Sequence, residues 1–167
     1  SGESAFLSLK PGDTGTFTVF FGNTGTTSWV KGTSTQVDLA ACLEDKVSCN
    51  QQDTSDSGFN PGTWTSATRY ATHVQSTVAP GAIGTFTYDV KVPSTQTAGT
   101  YRFNGALVLS STGGDIHNEG YYQEATVTVT TTIAITSCGT SPSSATTTTV
   151  AGTGAGAAAT VNIKDGT

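Results

Sequence analysis

The chain has 167 residues and a mass of 17.0 kDa; only 11% of residues are charged, the formal net charge is −5 and the pI is near 4.7. That length holds one ordinary core, or one domain with a fragment of another. Its seven basic residues (Lys10, Lys31, Lys46, Arg69, Lys91, Arg102, Lys164) are scattered, which excludes an electrostatic footprint for nucleic acid or an anionic membrane, and no apolar run approaches the roughly 20 residues of a membrane-spanning helix. Threonine makes up about a fifth of the chain, methionine is absent, and no signal-peptide apolar region is present, so a mature, processed chain or a segment of one is expected.

Helical periodicity is almost absent. Period-2 alternation recurs over 5–10, 14–22, 36–42, 69–78, 83–92, 100–110 and 121–133, punctuated by Gly, Pro, Asn and Ser. The expected fold is all-β: an Ig-like antiparallel β-sandwich of about seven strands over 1–131, with an extra C-terminal β segment over 132–167.

The second strand opens with "PGDTGTFTVFF", which contains Asp13-Thr14-Gly15; Asp56-Ser57-Gly58 follows later. Paired Asp-Thr/Ser-Gly triplets bring two carboxylates together in aspartic proteases. Here Lys-Pro-Gly precedes the first where an apolar strand is needed, the second lies in a polar loop, and the chain is too short for two lobes. "PGDTGTFTVFF" is echoed by "PGAIGTFTYDV" at Pro80, with Ala82 in place of Asp13, so the turn does not require a carboxylate. Asp13 is expected to be a solvated turn residue.

After the third strand, Cys42 and Cys49 enclose "LEDKVS". A disulfide across so short a loop contributes roughly 2–2.5 kcal/mol; two reduced thiols are the alternative. Zinc would need two further ligands at suitable spacing, which neither His73 nor His117 supplies. Cys138 is left free or pairs between chains. In the loop "NQQDTSDSGFNPG", Asp53, Asp56, Asn50 and Asn60 offer oxygen ligands to calcium, but the spacing matches no EF-hand and a metal-free polar turn is the expected state. His117-Asn118-Glu119 reads as a solvated loop. No cofactor is expected, and no nucleophile elbow occurs.

In 83–92, Phe86, Tyr88, Val90 and Val92 share one face while Thr85, Thr87, Asp89 and Lys91 share the other. In 100–110, Tyr101, Phe103, Leu107 and Leu109 form the apolar face, with Gly105 as a gap or bulge. Tyr121 and Tyr122 must point to opposite faces, so at most one is core. Trp29, Phe59, Trp64, Tyr121 and Tyr122 fall near loops or strand ends. Buried, they plug the sandwich; exposed, they could stack on sugar rings. The structural role is the expected one for Trp29 and Trp64.

From about residue 9 to 129 the chain resembles the NBR1-type Ig-like domain in its bacterial surface-protein version. The resemblance is carried by "LKPGDTGTFTVFFGNTGTTSW", where Asn23-Thr24-Gly25 leads to Trp29, by "TWTSATR", "VAPGAIGTFTYDVKVP" and "AGTYRFNGALV", and by "NEGYY". It implies a seven-stranded sandwich with mostly structural aromatics, acting as a spacer or interaction module without catalytic residues. "AGTY" also resembles Ig domains generally, which implies a tyrosine corner at Tyr101. The cysteine insert and the polar loop through Asn60 depart from the pattern. Behind Thr131 the Thr/Ala/Gly-rich segment resembles the start of another bacterial Ig-like domain or a linker, and is too poor in bulky residues to order itself.

These features lead to the expectation of a secreted, cell-surface, non-enzymatic building block of a surface layer, stalk or filament. It would self-associate, or join neighbouring Ig-like domains, by β-strand addition. The added strand is expected around Ala157, Ala159, Val161 and Ile163, or in the N-terminal "SAFLSL". The alternative is a module binding polysaccharide or a host surface through the loop 44–66, with Phe59, Trp64, Tyr121 and Tyr122 as contacts.

Overall fold

A computed structural model describes residues 2–3, 5–116 and 121–130, together with the strand residues 148–149 and 160–161. The chain forms two compact units, Ser1–Val129 and Thr130–Thr167. In the first, the strands are β1 (Gly2–Glu3), β2 (Leu7–Leu9), β3 (Thr14–Gly22), β4 (Trp29–Val30), β5 (Val37–Ala41), β6 (Arg69–Thr72), β7 (Thr77–Val78), β8 (Ile83–Lys91), β9 (Gly99–Leu109) and β10 (Tyr121–Val127). One 3-10 turn, Ser57–Phe59, lies between β5 and β6, and no α-helix occurs among the described residues. In the second unit, β11 (Thr148–Thr149) pairs antiparallel with β12 (Thr160–Val161).

A three-stranded sheet, β1-β3-β8, packs against a five-stranded sheet, β2-β10-β9-β5-β6, and one apolar core lies between them. The protein is therefore the β-sandwich expected from the alternation. Pairing is antiparallel except for β2, which runs parallel to β10. The first strand expected from sequence, 5–10, is β2 and lies in the larger sheet, whereas β1, which joins β3, falls outside the expected strands. The expected strand 69–78 is divided, because the chain changes sheets there. His73 N–H still bonds to Val37 of the larger sheet, whereas Val74 N–H bonds to Thr85 of the smaller one. The short pair β4–β7 lies outside both sheets.

The echoed sequence proves to be a local two-fold relation. β3 and β8 pair antiparallel with Thr18 opposite Thr87, and those two threonines are equivalent positions of the repeat. The turns obey the same relation. Gly12 N–H bonds to the Val92 carbonyl and Gly81 N–H to the Asn23 carbonyl, while Val92 N–H bonds to Asp13 and Asn23 N–H to Ala82. Each turn therefore caps the far end of the other strand. Gly12 and Gly81 have φ of 90° and 80°, a region that favours glycine after a proline-led turn. Gly15 and Gly84 are shared for another reason: a Cβ would lie 2.6 Å from Leu7 Cδ1 in the first copy and 2.7 Å from Trp29 Cζ3 in the second. Asp13 and Ala82 meet no such demand and are free to differ. Asp13 is an exposed turn residue whose carboxylate accepts the Lys10 N–H at 2.9 Å.

Phe17, Val19 and Phe21 of β3 and Phe86, Tyr88 and Val90 of β8 line the core, with Phe103, Leu107, Tyr121 and Val127 facing them. Asn23 is buried and ties the loop before Trp29 to the body of the fold, its Nδ2 donating to the carbonyls of Thr27 and Val78. Tyr101 makes the tyrosine corner: its hydroxyl donates to the Thr97 carbonyl at 2.9 Å. Gly105 sits in regular pairing, and a Cβ there would come within 3.2 Å of Leu39, Tyr121 and the Ala40 carbonyl, so it makes room for a close approach. The bulge lies instead in the β5–β6 pairing, between Leu39 and Ala40.

β9 is buried on both faces from Phe103 to Val108, not on one. On the outer face, Asp38 is completely buried and bonded to Arg69 Nη1 at 2.8 Å, Thr72 Oγ1 at 2.7 Å and Gln36 Nε2 at 3.0 Å. Arg69 also donates to Asn50 Oδ1 and to the Ser110 carbonyl. This polar network lies over the outer side of the sheet beside β9, where β9 itself carries Ala106, Val108 and a buried Asn104 whose amide group has no hydrogen-bond partner among the described residues.

Cys42 and Cys49 form a disulfide. It fastens the segment in which Lys46, at φ 59°, carries its ammonium to 4.4 Å from the centre of the Tyr122 ring. Replacing both cysteines with alanine is expected to lower stability by about 2 kcal/mol. The shift of the denaturant midpoint, measured against the reduced parent protein as well, checks this.

Candidate functional site

Two features stand out against the sandwich: its sheet edges and the insert between β5 and β6. The edges follow from strand parity. Thr85 sends its N–H to Gln75 Oε1 and its carbonyl to Val74 N–H, away from β3. Residues 85, 87 and 89 of β8 therefore address the outer edge of the small sheet. That edge is guarded at both ends, since Trp64 Nε1 donates to the Asp89 carbonyl at 2.7 Å. By the same parity Thr14, Thr16 and Phe20 of β3 address the opposite edge. There β1 pairs with Phe20 and Val19, and among the described residues no strand lies beside Thr14–Phe17 on that side. The side chains of Leu7 and Leu9 pack over its Gly15.

In the insert, Asp45 accepts from the Ser48 hydroxyl and from the Ser48 and Val47 amides, which lower its pKa. Asp53 Oδ1 accepts from the Ser55 amide and hydroxyl, and its carbonyl accepts from Ser57 N–H. The chain then turns inward. Asp56 is 1% exposed and takes a 2.6 Å hydrogen bond from the Tyr70 hydroxyl. Burial is the main cause that pushes its pKa up to about 7, with Asp53 and Glu44 adding to the rise and the Tyr70 bond opposing it. Phe59 follows into the core, 5.0 Å from the Tyr101 ring and 5.4 Å from Phe103.

Three of the four aromatics expected to contact ligand in the alternative reading are core residues: Phe59 is 1%, Trp64 8% and Tyr121 5% exposed. Their rings pack on Phe103, Tyr70 and Phe21 and leave no face for a sugar. Tyr122 is on the outer face, as the alternation required, between Lys46 and Arg102, whose guanidinium lies 4.9 Å from its ring. Phe6, 48% exposed and stacked at 6.1 Å on Tyr122, is an exposed aromatic that sequence reasoning passed over. Its place in "SAFLSL" read as an ordinary strand position. Trp29 is buried against His73 and Phe86. His73 is itself buried, which lowers its pKa, and its Nδ1 bonds to the Gln75 carbonyl at 2.7 Å.

Of the four candidate calcium ligands, Asn50 Oδ1 is used by Arg69 and Thr68, and Asn60 Oδ1 by the amides of Gly62 and Trp64. Asp53 and Asp56 alone keep an oxygen without a hydrogen bond, Oδ2 and Oδ1 respectively. No group of three or more His, Cys, Asp or Glu side chains is placed to share a metal ion among the described residues. The second Asp-Ser-Gly triplet thus delivers a carboxyl to a phenol in the core, while the first lies in an exposed turn. His117, Glu119, Cys138, Ala157, Ala159 and Ile163 lie outside the described residues. Val161 belongs to β12. No helix of the described residues is long and apolar enough to cross a membrane.

The chain matches no protein-family model, no curated protein and no solved structure.

Proposed function

We propose that this chain is a non-catalytic extracellular structural protein, a building block of a surface layer, stalk or filament that assembles by β-strand addition. One sandwich, akin to the NBR1-type Ig-like domains its turn-and-strand motifs resemble, would accept a strand from the next subunit. The observation that carries this reading is the edge of β3 at Thr14–Phe17, to which no strand pairs among the described residues, while the opposite edge of the same sheet is guarded. An added strand gains main-chain hydrogen bonds there without needing bulky side chains.

Of the two candidate donors, Leu7–Leu9 is held by β10 inside its own sandwich. The donor proposed is therefore the Thr/Ala/Gly-rich segment around Ala157–Ile163, whose Thr160–Val161 pairs only with the two residues Thr148–Thr149 among the described residues and would add to the next subunit from that hairpin. A head-to-tail contact of this kind does not close on itself and propagates a fibre. The disulfide supports an oxidising, extracellular location. Deleting residues 151–167 is expected to abolish polymers seen by electron microscopy while leaving the sandwich's circular dichroism and melting unchanged. Polymers that persist after the deletion would end this reading. The polysaccharide-binding alternative retains only Tyr122 of its four aromatics.

A further inference from the structure

We propose that Asp56 is a proton-operated latch: as a neutral acid it holds the loop 50–66 in the sandwich, and loss of its proton loosens that loop. The geometry is a hydrogen-bond chain with one hydrogen too few. The Tyr70 hydroxyl lies 2.6 Å from Asp56 Oδ2 and 3.1 Å from the Asn104 carbonyl, which also accepts Cys42 N–H. Tyr70 has a single hydrogen for these two acceptors. With Asp56 protonated, Oδ2–H donates to Tyr70 and Tyr70 donates to Asn104, so both contacts are hydrogen bonds. With Asp56 ionised, Tyr70 must turn its hydrogen to the carboxylate, the Asn104 contact loses its proton, and a buried charge is left with Oδ1 unpaired.

Burial and the nearby carboxylates favour the neutral form of Asp56, and the hydrogen bond from Tyr70 opposes it. The groups facing it are Asp53 from its own loop, Glu44 from the disulfide-closed segment, and Tyr70 of β6; Tyr88 of β8 and Tyr121 of β10 complete the cluster. All are acidic or neutral. Burial accordingly raises the pKa from 3.8 in the unfolded chain to about 7. For a carboxyl shifted in this direction, the stabilisation is complete below the unfolded pKa and is lost as pH rises through the folded one. Acid tightens the latch. What it holds down is the aromatic contact of Phe59, three residues on, with Tyr101 and Phe103.

The test is amide hydrogen exchange on the full chain, corrected for the intrinsic effect of pH. The Phe59 amide, bonded to the Asp56 carbonyl at 2.8 Å, is expected to lose protection on the order of a thousandfold between pH 4 and pH 8. Its neighbours in β3 should lose far less. Asp56→Asn, which keeps a donor toward Tyr70, should make Phe59 protection flat with pH. Should that variant not fold, the carboxyl carbon of Asp56 in the parent protein, followed by NMR, is expected to titrate near 7. Titration near 4, or equal pH dependence of protection in parent and variant, would overturn the latch. Millimolar calcium restoring protection at pH 8 would overturn it too, in favour of a cation shared by Asp53 and Asp56.

Discussion

Replacing Phe17 with alanine is expected to destabilise the sandwich by about 3–5 kcal/mol, seen as a fall in the denaturant midpoint. Phe17 is completely buried, with the Tyr88 ring at 5.4 Å and the Phe103 ring at 5.6 Å. Truncation removes contacts to both sheets at once, and the rigid pairing of β3 with β8 limits collapse into the space. The local two-fold makes Phe86 its equivalent, also fully buried and packed on Phe21 at 5.9 Å and Trp29 at 6.4 Å. Phe86→Ala should therefore cost a similar amount. Asp13→Ala should cost little, because the equivalent turn already works with Ala82. A large Asp13 effect beside a small Phe17 effect would contradict the repeat as a packing device.

Arg69→Met is expected to cost about 3–5 kcal/mol for a different reason. Asp38 has no exposure of its own, and Arg69 is the cation that neutralises it across 2.8 Å. Removing the guanidinium also strips donors from Asn50 and Ser110, which hold the disulfide-closed segment and the turn after β9 over the outer face. The ion pair Arg102–Glu124 is a contrast. Its arginine is about half exposed, and its loss should matter little. Asp38→Asn combined with Arg69→Met should recover much of the loss, since the uncompensated charge is then gone. A double-mutant cycle in chemical denaturation measures this coupling. Additive effects of the two substitutions would contradict a charge-pair origin.

The strands that stay in one sheet were legible in the sequence. β3, β8 and β10 alternate as written, and Tyr121 and Tyr122 divide between the two faces. Period-2 alternation carries no record of which sheet a strand joins. It therefore ran 69–78 together where the chain crosses between sheets at His73–Val74, and it passed over β1, which at two residues is too short to show an alternation. The full burial of β9 comes from Arg69, Asn50 and the cysteine-closed segment, all distant in sequence. Asp56 was the least legible residue of all. It stands among Ser, Thr, Gln and Asp in what reads as a solvated loop, and only Tyr70, brought beneath it by the bulged β5–β6 pair, makes it a core group. The open edge of β3 likewise appears only once register is known.

Strand addition is tested most directly by complementation. Thr16 directs its N–H to the open edge of β3, so Thr16→Pro should block a donor strand while the edge position tolerates the ring. A chain lacking 151–167 has the acceptor edge and no donor; the Thr16→Pro chain has the donor and no acceptor edge. Light scattering is expected to show each variant alone as a monomer and the equimolar mixture as a one-to-one heterodimer that grows no further. Polymers from either variant alone, or a mixture that stays monomeric under conditions in which the parent chain polymerises, would contradict assembly by this route.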